Sequence, residues 1–217
     1  MTPAARIASW SYAEQFIPES EAARQARAAA QELGLVPISP GAAQTLTLLA
    51  RLSRAKVVVE VGAGVGVASF ALLRGMDANG TLTSIDSEND RLQVARAIAK
   101  RNNLKAQRQR LIAGRPLEVL GKLTDAAYDL VHLDVDPLES GEHIEQALRV
   151  LRPGGLLTLY HALLDDRVAQ PSNLDDDTLI VRETLEAVRE LPGLTSLLLP
   201  VGDGLLVTVK DPPADPA

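Results

Sequence analysis

Lys56-Val57-Val58-Val59-Glu60-Val61-Gly62-Ala63-Gly64-Val65-Gly66 is the stretch that decides the fold. Its first six residues form a β-branched run interrupted by one acid, the pattern of a strand covered on both faces in a parallel sheet. Glycines at alternate positions follow at once, and Ala68–Arg74 then reads as a helix. Glycine tolerates positive φ and lets a ligand approach the backbone closely. A strand, a glycine turn and a helix predict the first βα unit of an open sheet, with a ligand at the turn.

Working outward, the pattern repeats. Thr81–Asp86 reads as a second strand and Asn89–Asn102 as an amphipathic helix with Leu92, Ala95 and Ile98 on one face. Arg110–Ala113 is a weaker strand, and Leu117–Leu123 a short helix. Tyr128–Asp134 is a fourth strand, Glu142–Leu151 a helix and Leu156–His161 a fifth strand. Units of about 25 residues in this order imply a doubly wound α/β sheet with right-handed crossovers. The end differs: a helix at Thr178–Leu191 precedes strands at Ser196–Val201 and Leu205–Lys210, joined by Gly202-Asp203-Gly204. Such a short Asp-Gly connection predicts an antiparallel hairpin.

Before the first strand, Gly41–Ser53 is apolar at helical spacing, and Glu19–Leu33 reads as a helix between Pro18 and Gly34. Trp10, Tyr12, Phe16 and Ile17 precede it and need a surface to cover, either their own domain or, as a lid or dimer contact, another one. The expected organisation is an N-terminal helical segment over 1–37, one domain over 38–210, and a disordered Pro-rich tail over 211–217.

Composition narrows the function. The 217 residues are 46% apolar and 23% charged, enough for a sizeable core and unlike a disordered or collagen-like chain. No apolar run is long enough for a membrane span, and the N-terminus lacks a signal peptide's apolar region. A formal charge of −6 argues against nucleic-acid or anionic-membrane partners. The absence of cysteine removes thiolate chemistry and fits a cytoplasmic address. Three histidines remain as specialised groups.

The glycine spacing is G-x-G-x-G, and Val67 stands where the dinucleotide fingerprint needs its third glycine. Asp86, ending the next strand, suits the hydroxyls of a ribose. Glu60 sits badly beside a pyrophosphate and well beside a cationic amine. A nucleoside with an amino group and no phosphates meets these conditions, and S-adenosylmethionine fits. A dinucleotide, or a turn that binds nothing, are the alternatives.

On these residues, and on ISPGAAQTLTLLARL, TLTSID, LIAGRPLEVL, YDLVHLDVD, LRPGG and LPVGDGLLVTVK, the chain from Ile38 to Lys210 resembles the class I S-adenosylmethionine-dependent methyltransferases. More narrowly it is similar to the O-methyltransferases related to catechol and caffeoyl-CoA O-methyltransferase, including their actinobacterial relatives. The resemblance implies a seven-stranded Rossmann-like sheet with the last strand antiparallel. It implies a cofactor site at Glu60, Gly62, Ala63 and Gly64 for the methionine portion, Asp86 for the ribose, Gly114 and Arg115 beside the adenine, Asp134 beside the sulfonium, and Ser39 closing over the methionine end. The family commonly has a serine two residues after the last loop glycine; here that position is Ala68, and the adjacent Ser69 is the candidate replacement.

Metal-dependent members of that family hold a divalent cation with an Asp after strand four and an Asp-Asn pair after strand five, beside a lysine base. Here Asp134 remains, the pair falls on Tyr160-His161, and the lysine position is Pro137. One carboxylate and an imidazole make a poor magnesium site, so no divalent metal is expected. His161 is then a candidate base, a ligand for a softer ion with Asp134, or a residue that only shapes the pocket. His132 is expected in the core and His143 on the surface. Asp175-Asp176-Asp177 reads as an N-cap for the helix after it, and the polar loop 164–174, with Asp165, Asp166 and Arg167, as a rim for the acceptor.

The expected function is methylation of a hydroxyl on a small molecule, catalysed by His161 and Asp134, by a cytoplasmic homodimer. Competing readings are a cofactor-binding homologue without catalysis, which the substitutions at Pro137, Tyr160 and His161 motivate, and a nucleotide-dependent oxidoreductase.

Overall fold

A computed structural model describes residues 2–212. The β-branched runs form parallel strands as expected: β1 (Val57–Val61), β2 (Thr81–Asp86), β3 (Gln109–Ala113), β4 (Tyr128–Leu133) and β5 (Leu151–Leu159). They are followed by β6 (Leu194–Leu199) and β7 (Leu205–Lys210). Among the described residues these make one seven-stranded sheet in the order β3-β2-β1-β4-β5-β7-β6, with β7 antiparallel to both neighbours. The fold is the doubly wound, Rossmann-like arrangement that the alternating pattern predicts.

Alternate residues of the strands feed two cores. Val58, Leu82 and Leu130 face α2 (Glu21–Glu32), α3 (Pro40–Leu52), α4 (Val67–Gly75) and α5 (Asn89–Arg101), meeting Leu46, Leu72 and Ile98 there. Val59, Val61, Val131 and Leu133 face the other way, toward Leu120 of α6 (Pro116–Leu120), Ile144 and Ala147 of α7 (Ser140–Val150), and Val188 of α8 (Asp176–Glu190). A side-chain period of two inside continuous apolar runs is how a parallel sheet covers both faces.

Local chemistry sets the helix starts. The hydroxyls of Ser20 and Ser39 cap α2 and α3, and the Asp175 carboxylate accepts the Thr178 N–H at 2.9 Å to cap α8, as the acidic triplet predicts. The sixth strand lies two residues earlier than expected, and the limits of the fifth differ most. β5 begins at Leu151 rather than Leu156, because Leu151 pairs with Tyr128 and the register then shifts across Pro153-Gly154-Gly155. It ends at Leu159, because His161 adopts φ +61° and leaves the ladder.

The N-terminal segment divides. Ala23 and Ala26 of α2 are buried in the first core and Ala30 is buried as well, so that helix packs on the sheet's helical layer. A further helix, α1 (Pro3–Gln15), lies outside it, with Ile7, Trp10 and Tyr12, and Phe16 just beyond it, all exposed. Glu14 tethers α1: its carboxylate accepts the Gly41 N–H at 2.6 Å and the Ser39 hydroxyl at 3.2 Å. The tail expectation falls on residues 213–217, outside the described residues, apart from Asp211 and Pro212; Asp211 is held, its N–H donating to the Gly193 carbonyl at 2.8 Å.

The strand order reverses between β1 and β4, opening a crevice at their carboxyl ends. There Gly62, at φ +80°, lies so near the chain of Asp134 that a Cβ would stand 1.8 Å from the Asp134 carbonyl oxygen. Gly62→Ala is therefore expected to lower the unfolding free energy by about 3 kcal/mol or more, read as a lower urea midpoint at unchanged m-value; stability within about 0.5 kcal/mol of the parent would show that the crevice can widen.

Candidate active site

The glycine loop is held open by backbone hydrogen bonds. Gly62 and Ala63 donate to the Ile85 carbonyl at 2.9 and 3.2 Å, and Gly64 donates to the Asp86 carboxylate at 2.7 Å. The second oxygen of Asp86 accepts the Glu88 N–H at 2.8 Å. Between this loop and the chain before α3 lies a cavity of about 190 Å³. Gly62, Ala63, Gly64, Asp86 and Asp134 line it, which brings together half of the residues expected around a cofactor.

The other candidates stand elsewhere. Glu60 and Ser69 are wholly buried beneath the loop: one Glu60 oxygen accepts the Ser84 hydroxyl at 2.8 Å and the Ser69 hydroxyl at 2.5 Å. Both are expected to touch a ligand; in the cofactor-free protein neither side chain is among those lining the cavity. Glu60, two residues before the turn, and Ser69, in the first turn of α4, both point beneath the loop rather than into the crevice. Burial pushes the Glu60 carboxyl from its ordinary 4.5 up to about 7, against the pull of its two serine donors. Its other oxygen has no hydrogen-bond partner.

Ser39 caps α3 and its N–H donates to the Tyr160 hydroxyl at 3.3 Å, beside the cavity rather than in it. Gly114 donates to the Asp86 carbonyl at 3.0 Å, and Arg115 is exposed and paired with Glu118, lining a neighbouring hollow. The cavity wall opposite the glycines comes instead from Leu35, Val36 and Pro37, with Arg91 at the Asp86 side. Sequence reasoning missed these. The available signal was an apolar linker stiffened by Pro37 and Pro40, with nothing in the sequence assigned to cover it.

The three histidines separate clearly. His132 is buried, its Nδ1 3.0 Å from the Thr158 hydroxyl, and burial pushes it down to about 4, so it is neutral. His143 is also buried, contrary to the surface placement expected. α7 starts at Ser140, two residues early, and Ser140, His143, Ile144 and Ala147 then share its inner face.

His161 follows β5, at the carboxyl end of the sheet beside Asp134. Its Nε2 is 3.4 Å from an Asp134 oxygen and its Nδ1 is 2.7 Å from an oxygen of Asp203, in the β6–β7 turn. Burial alone would push the imidazole down, but the hydrogen bonds and charges of Asp134 and Asp203 override it and lift the ring to about 9. A cation thus sits between two carboxylates at neutral pH. The Tyr160 side chain turns away; its hydroxyl accepts the N–H groups of Ser39 and Asp203. The donor set here is two carboxylates already engaged with one imidazole, where magnesium needs oxygens in octahedral array. Among the described residues no group of three or more His, Asp or Glu side chains is arranged to hold a metal ion, and no helix is long and apolar enough to cross a membrane.

A family model described as O-methyltransferase matches residues 13–211. A probable O-methyltransferase of Mycobacterium tuberculosis is 40% identical over 202 residues, covering 93% of this chain and 90% of that protein. Among solved structures, a Corynebacterium glutamicum protein superposes with a TM-score of 0.89 at 30% identity, covering 98% of this chain and all of the other. An O-methyltransferase of Streptomyces achromogenes involved in tomaymycin synthesis, solved with S-adenosylmethionine, shares the fold at a TM-score of 0.83 and 24% identity over 98% of this chain and all of that one. The chain belongs to the O-methyltransferase family.

The buried acid below the loop has a thermodynamic signature. Because its folded pKa is raised, Glu60 contributes stability below about pH 4.5 that is lost as pH rises through about 7. Glu60→Gln removes that titration. The stability of the parent minus that of the variant should fall by up to about 3 kcal/mol between those pH values in urea melts; a difference flat with pH would show that burial leaves the Glu60 pKa where it is in the unfolded chain.

Proposed function

We propose that this O-methyltransferase uses S-adenosylmethionine to methylate a hydroxyl of a small-molecule acceptor, without a divalent metal and with His161 as general base. The observation that carries the reading is the imidazole of His161 at the open end of the sheet, 3.4 Å from Asp134, which lines the glycine-loop cavity. When bound, S-adenosylmethionine supplies an electrophilic methyl on a sulfonium. The chain's own task is to align the acceptor and remove its proton.

The backbone at Gly62, Ala63 and Gly64 would form the bed of the cofactor. Asp86 retains acceptor capacity on both carboxylate oxygens for ribose hydroxyls. Asp134, acceptor-only and partly buried, would attract the cationic end. Glu60 and Ser69 support the loop from below. Gly114 and Arg115 would flank the adenine, and Ser39 would close the methionine end with the linker before α3. Asp165, Asp166 and Arg167 form the acceptor rim.

His161 must be neutral to act as a base, and in the cofactor-free protein its two carboxylates keep it charged up to about pH 9. A positive charge arriving beside Asp134 offsets that carboxylate and loosens the proton. The rate should therefore rise with pH, with a midpoint between 6.5 and about 9.

Calorimetry is expected to show saturable binding of S-adenosylmethionine and of its demethylated product. Across a panel of catechols, flavonoids and other phenols, turnover should withstand chelation of divalent ions. His161→Ala should lower kcat by about 10²- to 10⁴-fold while cofactor affinity is kept. Absence of cofactor binding would reject the function, and unchanged turnover in His161→Ala would reject the base.

The exposed Ile7, Trp10, Tyr12 and Phe16 support a homodimer formed through α1. Light scattering should give twice the chain mass, and Phe16→Glu should shift it toward the monomer; a parent that is monomeric at every concentration would exclude this contact.

A further inference from the structure

Gly202-Asp203-Gly204 reads in sequence as a hairpin turn and nothing more, yet it is built against the site. Gly202 has φ +55° and Gly204 φ +85°. A Cβ on the first would stand 2.5 Å from the Tyr160 hydroxyl, and on the second 2.5 Å from Leu163. Two glycines therefore let the turn press on the segment that leaves β5. The contact is also hydrogen-bonded: the Asp203 N–H donates to the Tyr160 hydroxyl at 3.2 Å, and the Asp203 carbonyl accepts the Leu163 N–H at 2.9 Å.

The Asp203 side chain bridges the same segment. One oxygen accepts the Asp165 N–H at 2.6 Å and the other pairs with His161 Nδ1 at 2.7 Å. His161, Leu164, Asp165 and Asp166 all have φ between +49° and +62°. Non-glycine residues in this region are strained and persist only where the surroundings over-determine them. Asp203 ties two of the four in place with one carboxylate.

The two ring nitrogens of His161 are not held alike. The Nδ1 contact is short and its partner is only 16% exposed. The Nε2 contact with Asp134 lies at 3.4 Å, the margin of a hydrogen bond. Of the two protons on a charged ring, the one on Nε2 is the looser. The other groups facing the ring are Tyr160, its ring centroid 4.5 Å away, and the neutral His132.

We propose that Asp203 is a positioning residue for the methyl transfer, holding His161 as the Nδ1–H tautomer with the Nε2 lone pair turned to the Asp134 side, where the acceptor hydroxyl is taken. This rests on the reading of His161 as base. In the step it serves, the acceptor O–H proton passes to Nε2 while the oxygen forms a bond to the methyl carbon. The carbon–sulfur bond breaks with its electron pair left on sulfur. The products are an ether, a neutral thioether and an imidazolium, and Asp203 stays ionised throughout. A carboxylate that fixes the tautomer of a base without itself taking the proton is worth orders of magnitude in rate.

The test is nitrogen-15 NMR of the full-length chain at a pH above the His161 titration, with kinetics of Asp203→Asn. The parent is expected to show neutral His161 protonated at Nδ1, the minor form of a free imidazole. Asp203→Asn should move it toward the Nε2–H form and lower kcat by about 10²- to 10⁴-fold with the cofactor KM unchanged. An Nε2–H ring in the parent overturns the proposal without any variant, so a misfolded Asp203→Asn leaves it falsifiable. A variant with unaltered kcat overturns it too. Failure of the base reading itself appears separately, as full turnover in His161→Ala with the parent tautomer still Nδ1–H.

Discussion

The contact between Gly62 and the backbone of Asp134 is the constraint on which the rest of the molecule depends. β1 and β4 are neighbours because the strand order reverses between them, and the Asp134 N–H extends their ladder by donating to the Val61 carbonyl at 2.9 Å. That last bond brings the Asp134 carbonyl against Gly62, where no side chain has room. The loop must therefore turn away at positive φ, and the N–H groups of Gly62, Ala63 and Gly64 are consumed by Ile85 and Asp86. One close approach thus sets the crevice, orients the loop and delivers the Asp134 carboxylate to its rim.

Charge is distributed around this point in layers. Beneath the loop, Glu60 is buried with serine hydroxyls as donors and Asp86 and Asp134 as like-charged neighbours, so holding its proton is favoured near neutrality. At the rim, Asp134 and Asp203 retain a proton on His161. The imidazole of His161 thus stands between the carboxylates of Asp134 and Asp203 at the carboxyl end of the sheet. Both layers follow from Coulomb interactions in a partly dehydrated crevice, where a neighbouring charge counts for more than in water.

The elements were legible where a local pattern carried them. The valine run, the alternating glycines, the capping residue Asp175 and the closing hairpin are short-range signals, and Asp86 and Asp134 follow from their place at strand ends. Glu60 and Ser69 flank the loop in sequence, yet their side chains lie buried beneath it, because adjacency along the chain says nothing about which face a side chain takes. His143 was misplaced because the helix start, not the residue type, decides its face, and a start two residues early turns it inward. Leu35, Val36 and Pro37 wall the cavity from a linker with no periodicity to read.

What the sequence by itself determined is the order of strands and helices, the glycine turn, and the carboxylates at the ends of β2 and β4. These depend on hydrophobic period, turn chemistry and position along the chain. Only the tertiary structure decided the partner of His161. Asp203 lies 42 residues away along the chain and reaches the ring because β7 inserts antiparallel between β5 and β6 and its turn is small enough to touch the end of β5. A pairing across that separation has no local signal, since strand order and two glycines bring it about rather than any pattern at either residue.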